Sequence, residues 1–442
     1  MMSRSLARFA LVLPLSVALN ASAGSWSTQA TLSGNAYNGS IAIDANGNLV
    51  TVWYQNANAG GTLLAEIWGS SAAFGQAWSA PVDLSGPANS ASGIPTVRIG
   101  AAGKATAIYT SPTLGAAFVD KPAGQPWGTP ASTGGVNTFY VSNDNGDQGL
   151  AWGTGGARPT SSTIVAQRRP AGGAWGAPTT LAAAPHLAFD GALVAPDGTM
   201  AVAWESFNST CGSRTCTTSN WVLHVSTLAP GSQTWVDSGG LMGPDTKQHF
   251  AQLAADNQAN LGVIALQNGN VVSQVRHSGS WSTIVIVTSA STFQFYTGTG
   301  RDNRIYASDS AGHVTLVGWG DIHLQTLAAI DGNLATNSWG SPSTISGGDQ
   351  FPGYFDFAMS SSGAAIVFYP LPMQTSPTPW RAITRPGAGK PWNAPATAGT
   401  SFDAGGNPDG ISINSAGQAA VVFHGYSSDY TTNILYTNTY KP

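Results

Sequence analysis

Along most of the chain, apolar and polar residues alternate in short runs, and no segment shows the 3.6-residue periodicity of an amphipathic helix. The first full copy of the pattern is Ser40-Ile-Ala-Ile-Asp-Ala-Asn-Gly-Asn-Leu-Val-Thr-Val-Trp53. Two alternating runs flank a small polar turn, as in a β-hairpin whose turn needs a residue with positive φ. Equivalent turns carry Gly47, Gly103, Gly146, Gly198, Gly312, Gly363 and Gly417. One further copy, Asp256-Asn-Gln-Ala-Asn260, has no glycine. An aromatic residue stands six positions past the turn glycine at Trp53, Tyr109, Trp152, Trp204, Tyr369 and Phe423. The sixth copy places it one residue later, at Trp319, and the fifth has Leu266 near the equivalent place.

A second signal has the same period. Tryptophan recurs at Trp26, Trp78, Trp127, Trp175, Trp235, Trp281, Trp339 and Trp392, at intervals from 46 (235 to 281) to 60 (175 to 235). Five copies read Trp-x-x-Pro. A third apolar run, such as Leu63 to Trp68 or Val271 to Val275, links each hairpin to the next tryptophan. Each unit thus predicts four short strands. A four-stranded sheet that is apolar on both faces needs a neighbour on each side, and radial repetition supplies them. The chain opens on a tryptophan strand, Trp26 to Ser33, and ends on a third-type strand, Asn433 to Tyr440. The first can complete the last unit. The expectation is an all-β protein, a β-propeller of eight four-stranded blades closed by the N-terminal strand. Seven blades is the alternative if the irregular fifth or sixth unit is not a full blade.

Composition narrows the function. Only 9% of the 442 residues are charged, Lys+Arg is 17 against Asp+Glu 21, and glutamate occurs only as Glu66 and Glu205. A nucleic-acid partner would want a basic surface, and a coiled coil would want Glu, Lys and Leu in quantity. Both are excluded. Arg4 and Arg8, the apolar run Phe9 to Leu19 and Ala21-Ser22-Ala23 have the form of a secretory signal peptide over residues 1–23. That leaves a single propeller domain over 24–442. The apolar run is too short to cross a bilayer, so a secreted or periplasmic monomer without a membrane span is expected. In an exported chain, Cys211 and Cys216 are expected to form one disulfide.

The repeats resemble those of secreted bacterial propellers of the sialidase-repeat and lectin type, at the level of fold, from Trp26 to Pro442. The sialidase aspartate box reads Ser-x-Asp-x-Gly-x-x-Trp, whereas Asp44-Ala-Asn-Gly47 has two residues between Asp and Gly. No sialidase catalytic residue is carried over. Asp44-x-Asn46-x-Asn48 has its glycine fourth rather than sixth, which fits a hairpin turn better than a calcium loop. The seven histidines show no zinc spacing, and no metal or cofactor is expected.

In propellers generally, ligands sit where loops enter the innermost strands and join the second to the third. There the sequence offers Tyr54, His186, Tyr296, Trp319, Tyr354, His424 and Tyr426 as ligand-binding candidates, since sugars stack on aromatic faces and bond to planar polar groups. Packing of blade against blade is the plainer role for the regularly spaced aromatics. Glu205, Asp190 and His249 are the catalytic candidates. A carboxylate beside an aromatic wall can act as a general acid, and two carboxylates could cleave a glycosidic bond. The plainer role for Glu205 is a solvated loop residue or a partner of Arg158 or Arg214. For a polysaccharide lyase, His249 or His424 would be the base, Tyr426 the acid, and Arg301 and Arg304 the clamp. The reading favoured is a secreted carbohydrate-binding propeller, lectin-like or adhesin-like, whose partner is a glycan or polysaccharide. A glycan-degrading lyase or hydrolase and a scaffold for another envelope protein are the alternatives.

Overall fold

The computed structural model describes residues 24–442 apart from 60–61, 87–90, 101, 136–138, 155–160, 213–214, 295–304, 322–325, 350–353, 373–376, 403–407 and 430–431. The expected signal peptide, residues 1–23, lies outside the described residues, as do Tyr296, Arg158, Arg214, Arg301 and Arg304. The described residues form eight antiparallel sheets and no helix. Blade 1 runs outward as Ala36–Ile43, Asn48–Ala59, Thr62–Ala73 and Val82–Asp83. The innermost strands of blades 2 to 8 are Ser92–Ile99, Phe139–Ser142, Leu187–Val194, Gln252–Ala255, Tyr306–Ser308, Asp356–Met359 and Gly410–Ile413. The irregular fifth and sixth units are full blades, so the ring has eight. Closure comes from the N-terminus. Ser25–Trp26 and Ala30–Gly34 both pair with the C-terminal strand Asn433–Lys441, with Trp26 opposite Tyr440 and Ala30 opposite Thr437.

The inner hairpin turns are built from side chains as well as glycine. All seven turn glycines have positive φ, and in the fifth blade Ala259 takes that conformation, at φ 61°. The Oδ1 atom of Asp44 accepts the backbone N–H groups of Asn46 at 2.9 Å and Asn48 at 2.8 Å. Asp256, Asp309 and Asn414 cap their turns in the same way. The resemblance of 44–48 to a calcium loop is therefore a turn whose carboxylate oxygen is occupied by backbone donors.

Apolar packing is divided by the seams between blades. Eight buried clusters each draw on two adjacent blades, and each is joined by one recurring tryptophan: Trp78 at the 8/1 seam, Trp127 at 1/2, Trp175 at 2/3 and so on to Trp26 at 7/8. The aromatics six past the turn glycine are all buried in these clusters. Gly69 lets Trp127 close over blade 1, since a Cβ there would lie 3.1 Å from the indole ring.

Many of the scarce charges also hold seams. Arg169 of blade 3 donates to both oxygens of Asp120 in blade 2, at 2.9 and 2.6 Å, and its guanidinium lies 5.0 Å from the Phe118 ring. Burial opposes ionisation of Asp120, but hydrogen bonds from Arg169, Lys104 and Thr106 outweigh it and bring the carboxyl down to about 2. Four blades on, Arg385 is 1% exposed, donates to Asp331 at 2.7 Å and to Thr315 at 2.6 Å, and lies over Trp392.

Two outcomes test this account. Deleting residues 25–34 removes the strands that complete blade 8 and the tryptophan of the 7/8 seam. Size-exclusion chromatography is expected to show aggregate, and a soluble monomer would contradict the closure. Ala259→Gly relieves a left-handed alanine on the surface and is expected to add about 1 kcal/mol in urea unfolding, an unchanged or lowered midpoint being the contrary result.

Candidate functional site

The face opposite the inner turns carries the loops that enter each blade and the hairpins joining second to third strands. Two of these hairpins are long: Asn48–Ala59 with Thr62–Ala73 in blade 1, and Met200–Cys211 with Cys216–Leu228 in blade 4. The Cys211–Cys216 disulfide closes the tip of the second. Its stem is stiffened by rings. Phe207 stacks on Trp221 at 4.0 Å, His186 packs against Phe207 at 5.6 Å, and Trp204 lies flat on His224 at 4.0 Å. His186, read from sequence as a ligand group, is thus a half-buried member of the hairpin's own stack.

Blade 4 also brings together Asp190, Glu205 and His249. A bulge in the innermost strand, between Phe189 and Gly191, sets Asp190 out of register. Asp190 lines a central cavity of about 940 Å³ bounded by the innermost strands of blades 3 to 7. Glu205 and His249 have 0% exposure, so Glu205 is not a solvated loop residue. Its Oε1 accepts the N–H groups of His249 at 2.9 Å and Phe250 at 3.2 Å, and its Oε2 lies 3.3 Å from His249 Nδ1. Asp190 accepts from Ala251 N–H at 3.3 Å and from the Gln248 side chain at 3.1 Å. The two carboxyls are close enough to interact directly. Burial, and then the charge of Glu205, push Asp190 well above the usual carboxylate range. Burial raises Glu205 as well, against the pull of its donors, and lowers His249.

Blade 8 repeats this placement with different chemistry. Asp190 and Glu205 stand eight before and seven after Gly198; Asp409 and His424 stand eight before and seven after Gly417. His424 Nδ1 lies 2.7 Å from Asp409 Oδ2, with the carboxylate 3% and the imidazole 25% exposed. Tyr426, two residues along the same strand, is 37% exposed. In blade 1, the Tyr37 hydroxyl donates to Asn56 Oδ1 at 3.1 Å and its ring lies 4.8 Å from Tyr54. In blade 7, Asp349 gathers the Tyr369 hydroxyl at 3.0 Å and Arg381 Nε at 2.9 Å. Trp319 is half-buried against the 6/7 seam, its backbone bridged to Gln294. Tyr354 is 37% exposed.

The three catalytic candidates therefore meet at the 4/5 seam, and His424 and Tyr426 share blade 8, while Tyr54, Trp319 and Tyr354 are spread over three other blades. Asp409, Asp349 and Arg381 are not among the sequence candidates. Asp409 could have been found by counting back eight from Gly417, as Asp190 is counted from Gly198.

No protein-family model and no curated protein matches the chain. Solved structures do. The chain is similar to the fucose-specific lectin from Aleuria aurantia (12% identity, 82% of this chain and 97% of that one, TM-score 0.39). It is similar to the NanB sialidase from Streptococcus pneumoniae (11%, 93% and 69%, 0.35) and to the β-propeller domain of the Trilobed protease from Pyrococcus furiosus (7%, 84% and 99%, 0.48). These likenesses concern the fold alone.

Glu205→Ala would leave the buried N–H groups of His249 and Phe250 without their acceptor. It is expected to lower stability by about 3 kcal/mol in urea unfolding, and a loss under about 1 kcal/mol would show that the turn is held by other means.

Proposed function

We propose that the protein is a secreted carbohydrate-binding propeller, lectin-like or adhesin-like, which takes its ligand on the loop face. One observation carries the reading. Among the described residues, the exposed large apolar side chains include Ile94, Phe250, Tyr354 and Tyr426, which stand at the loop ends of blades 2, 5, 7 and 8. The regularly spaced aromatics are spent on the seams, so these are not surplus packing groups. Exposed apolar groups of this kind gain most when a ligand covers them, and the C–H faces of sugars suit the three rings among them. Oriented polar groups stand at the same ends of the blades: His424 held by Asp409, and Arg381 held by Asp349. Their spread over several blades fits repeated shallow binding better than one catalytic cleft. The signal-peptide pattern and the disulfide are compatible with export, which supports a glycan ligand outside the cytoplasm.

A degrading enzyme is the second reading, and the Asp409–His424–Tyr426 group favours it. A buried carboxylate orients an accessible imidazole, as a general base requires, with a phenol alongside.

A glycan array coupled to a product assay separates the two. Binding without new reducing ends or unsaturated uronate is expected. Tyr426→Ala and Tyr354→Ala are each expected to weaken binding about tenfold, the loss of about 1.4 kcal/mol of stacking. Released product, or no binding to any glycan, would overturn the lectin-like reading, and full binding by both variants would overturn its placement on these two rings.

A further inference from the structure

We propose that Asp190 and Glu205 form a proton-sharing clamp on the turn 248–251, and that this clamp positions Phe250 for the ligand on the loop face. The inference rests on the carbohydrate-binding reading for the ligand, but the clamp itself is defined by geometry. Two side chains of blade 4 address four consecutive residues of the turn that enters blade 5: Gln248 and Ala251 through Asp190, His249 and Phe250 through Glu205. Phe250 is thereby held in the left-handed region, at φ 53°, and the residue is 38% exposed. A phenylalanine adopts that conformation only where its surroundings impose it.

The proton follows from the hydrogen-bond inventory. His249 Nε2 is buried and has no hydrogen-bond partner among the described residues, so an imidazolium there would bury an unmet N–H. His249 therefore stays neutral and cannot offset the charge of Glu205. Asp245, the other charge acting on the group, is also acidic. Glu205 is fully buried and Asp190 partly so, at the edge of the cavity, and two such adjacent carboxylates cannot both ionise without strong repulsion. One proton between them, carried by Asp190, satisfies both: Asp190 donates to Glu205, and Glu205 keeps its acceptors for the turn.

The direction with pH is set by these groups. Both carboxyls are raised in the folded chain from ordinary values of 3.8 and 4.5. Their contribution is complete below those values and is lost as pH rises through the folded pKa. His249 is lowered from 6.5 and acts oppositely, favouring the fold above that value and losing its contribution as pH falls. The turn should be held at mildly acidic pH and loosen as the pair gives up its proton.

The test is hydrogen exchange of the 248–251 amides in the full mature chain, corrected for intrinsic rate. From about pH 5 to about pH 9, protection in the wild type is expected to fall at least about tenfold. In Asp190→Asn, whose amide keeps the acceptor for Ala251 and the donor for Glu205 without titrating, and gives up the acceptor for Gln248 at every pH, the fall is expected to stay under about twofold. Flat protection in the wild type, or an equal fall in the variant, overturns the clamp. The glycan array read at both pH values provides the second arm, with binding expected to drop at high pH in the wild type alone. Titrating exchange with no glycan bound upholds the clamp and defeats the carbohydrate reading. Glycan binding with flat exchange does the reverse.

Discussion

Every blade depends on the blades beside it. Each sheet presents apolar side chains on both faces, and the eight buried clusters are shared across seams. A single blade would expose two such faces, and an open ring would still expose two. Pairing of Trp26 with Tyr440 is therefore a condition for the whole ring rather than a local tie. It also explains the low charge. Side chains along a seam lose their water, so a lysine or glutamate there is costly unless paired. Charges that persist are met there: Arg169 reaches back to Asp120 and Arg385 to Asp331, while Glu205 is met by backbone N–H groups of the next blade.

The same constraint divides the two ends of each blade. At the inner-turn end, the backbone is committed: carboxylate and amide oxygens cap the turns, and adjacent turns bond across seams, as Asn414 does to the Asp44 carbonyl and Ser310 to the Ser361 carbonyl. The loop end is free to vary in length and content, which is where the long hairpins and exposed rings occur. Blades 4 and 8 show how far one position can diverge. The residue seven past the turn glycine is a buried glutamate in one and a partly open histidine in the other, each with an aspartate eight before that glycine, within the inner strand in blade 4 and just before it in blade 8. In blade 4 the pair faces the next blade's backbone. In blade 8 it faces outward enough to meet a ligand.

The fold was legible because its determinants are local and repeated. Turn glycines, alternating runs and outer tryptophans are each set by a few neighbouring residues, and the surplus N-terminal strand followed from counting. The candidate site was legible only as a list of unusual residues. Glu205 stood out as one of two glutamates, but its burial depends on a turn 44 residues away, which no local pattern records. His186 looked like an open loop residue because its partner Phe207 lies across a hairpin stem. Arg381 and Asp349, 32 residues apart, are brought together only by the folded blade, and no local pattern links them.

The choice of glutamate over aspartate is informative in this setting. The chain has 21 acidic residues and only two are glutamate. Both are used for reach: Glu66 accepts the Trp68 indole N–H at 2.9 Å, and Glu205 crosses a seam to two backbone donors. An aspartate at 205 would be one methylene short of those donors, and an apolar residue would leave them unmet in a dry interface. Asp190 has the opposite task. It sits in a bulge close to its partners, where a longer side chain would have to fold back. The pair thus combines a long arm that grips the next blade with a short one that holds the proton. That division of labour is hard to explain if the group served packing alone, since an apolar seam would be cheaper.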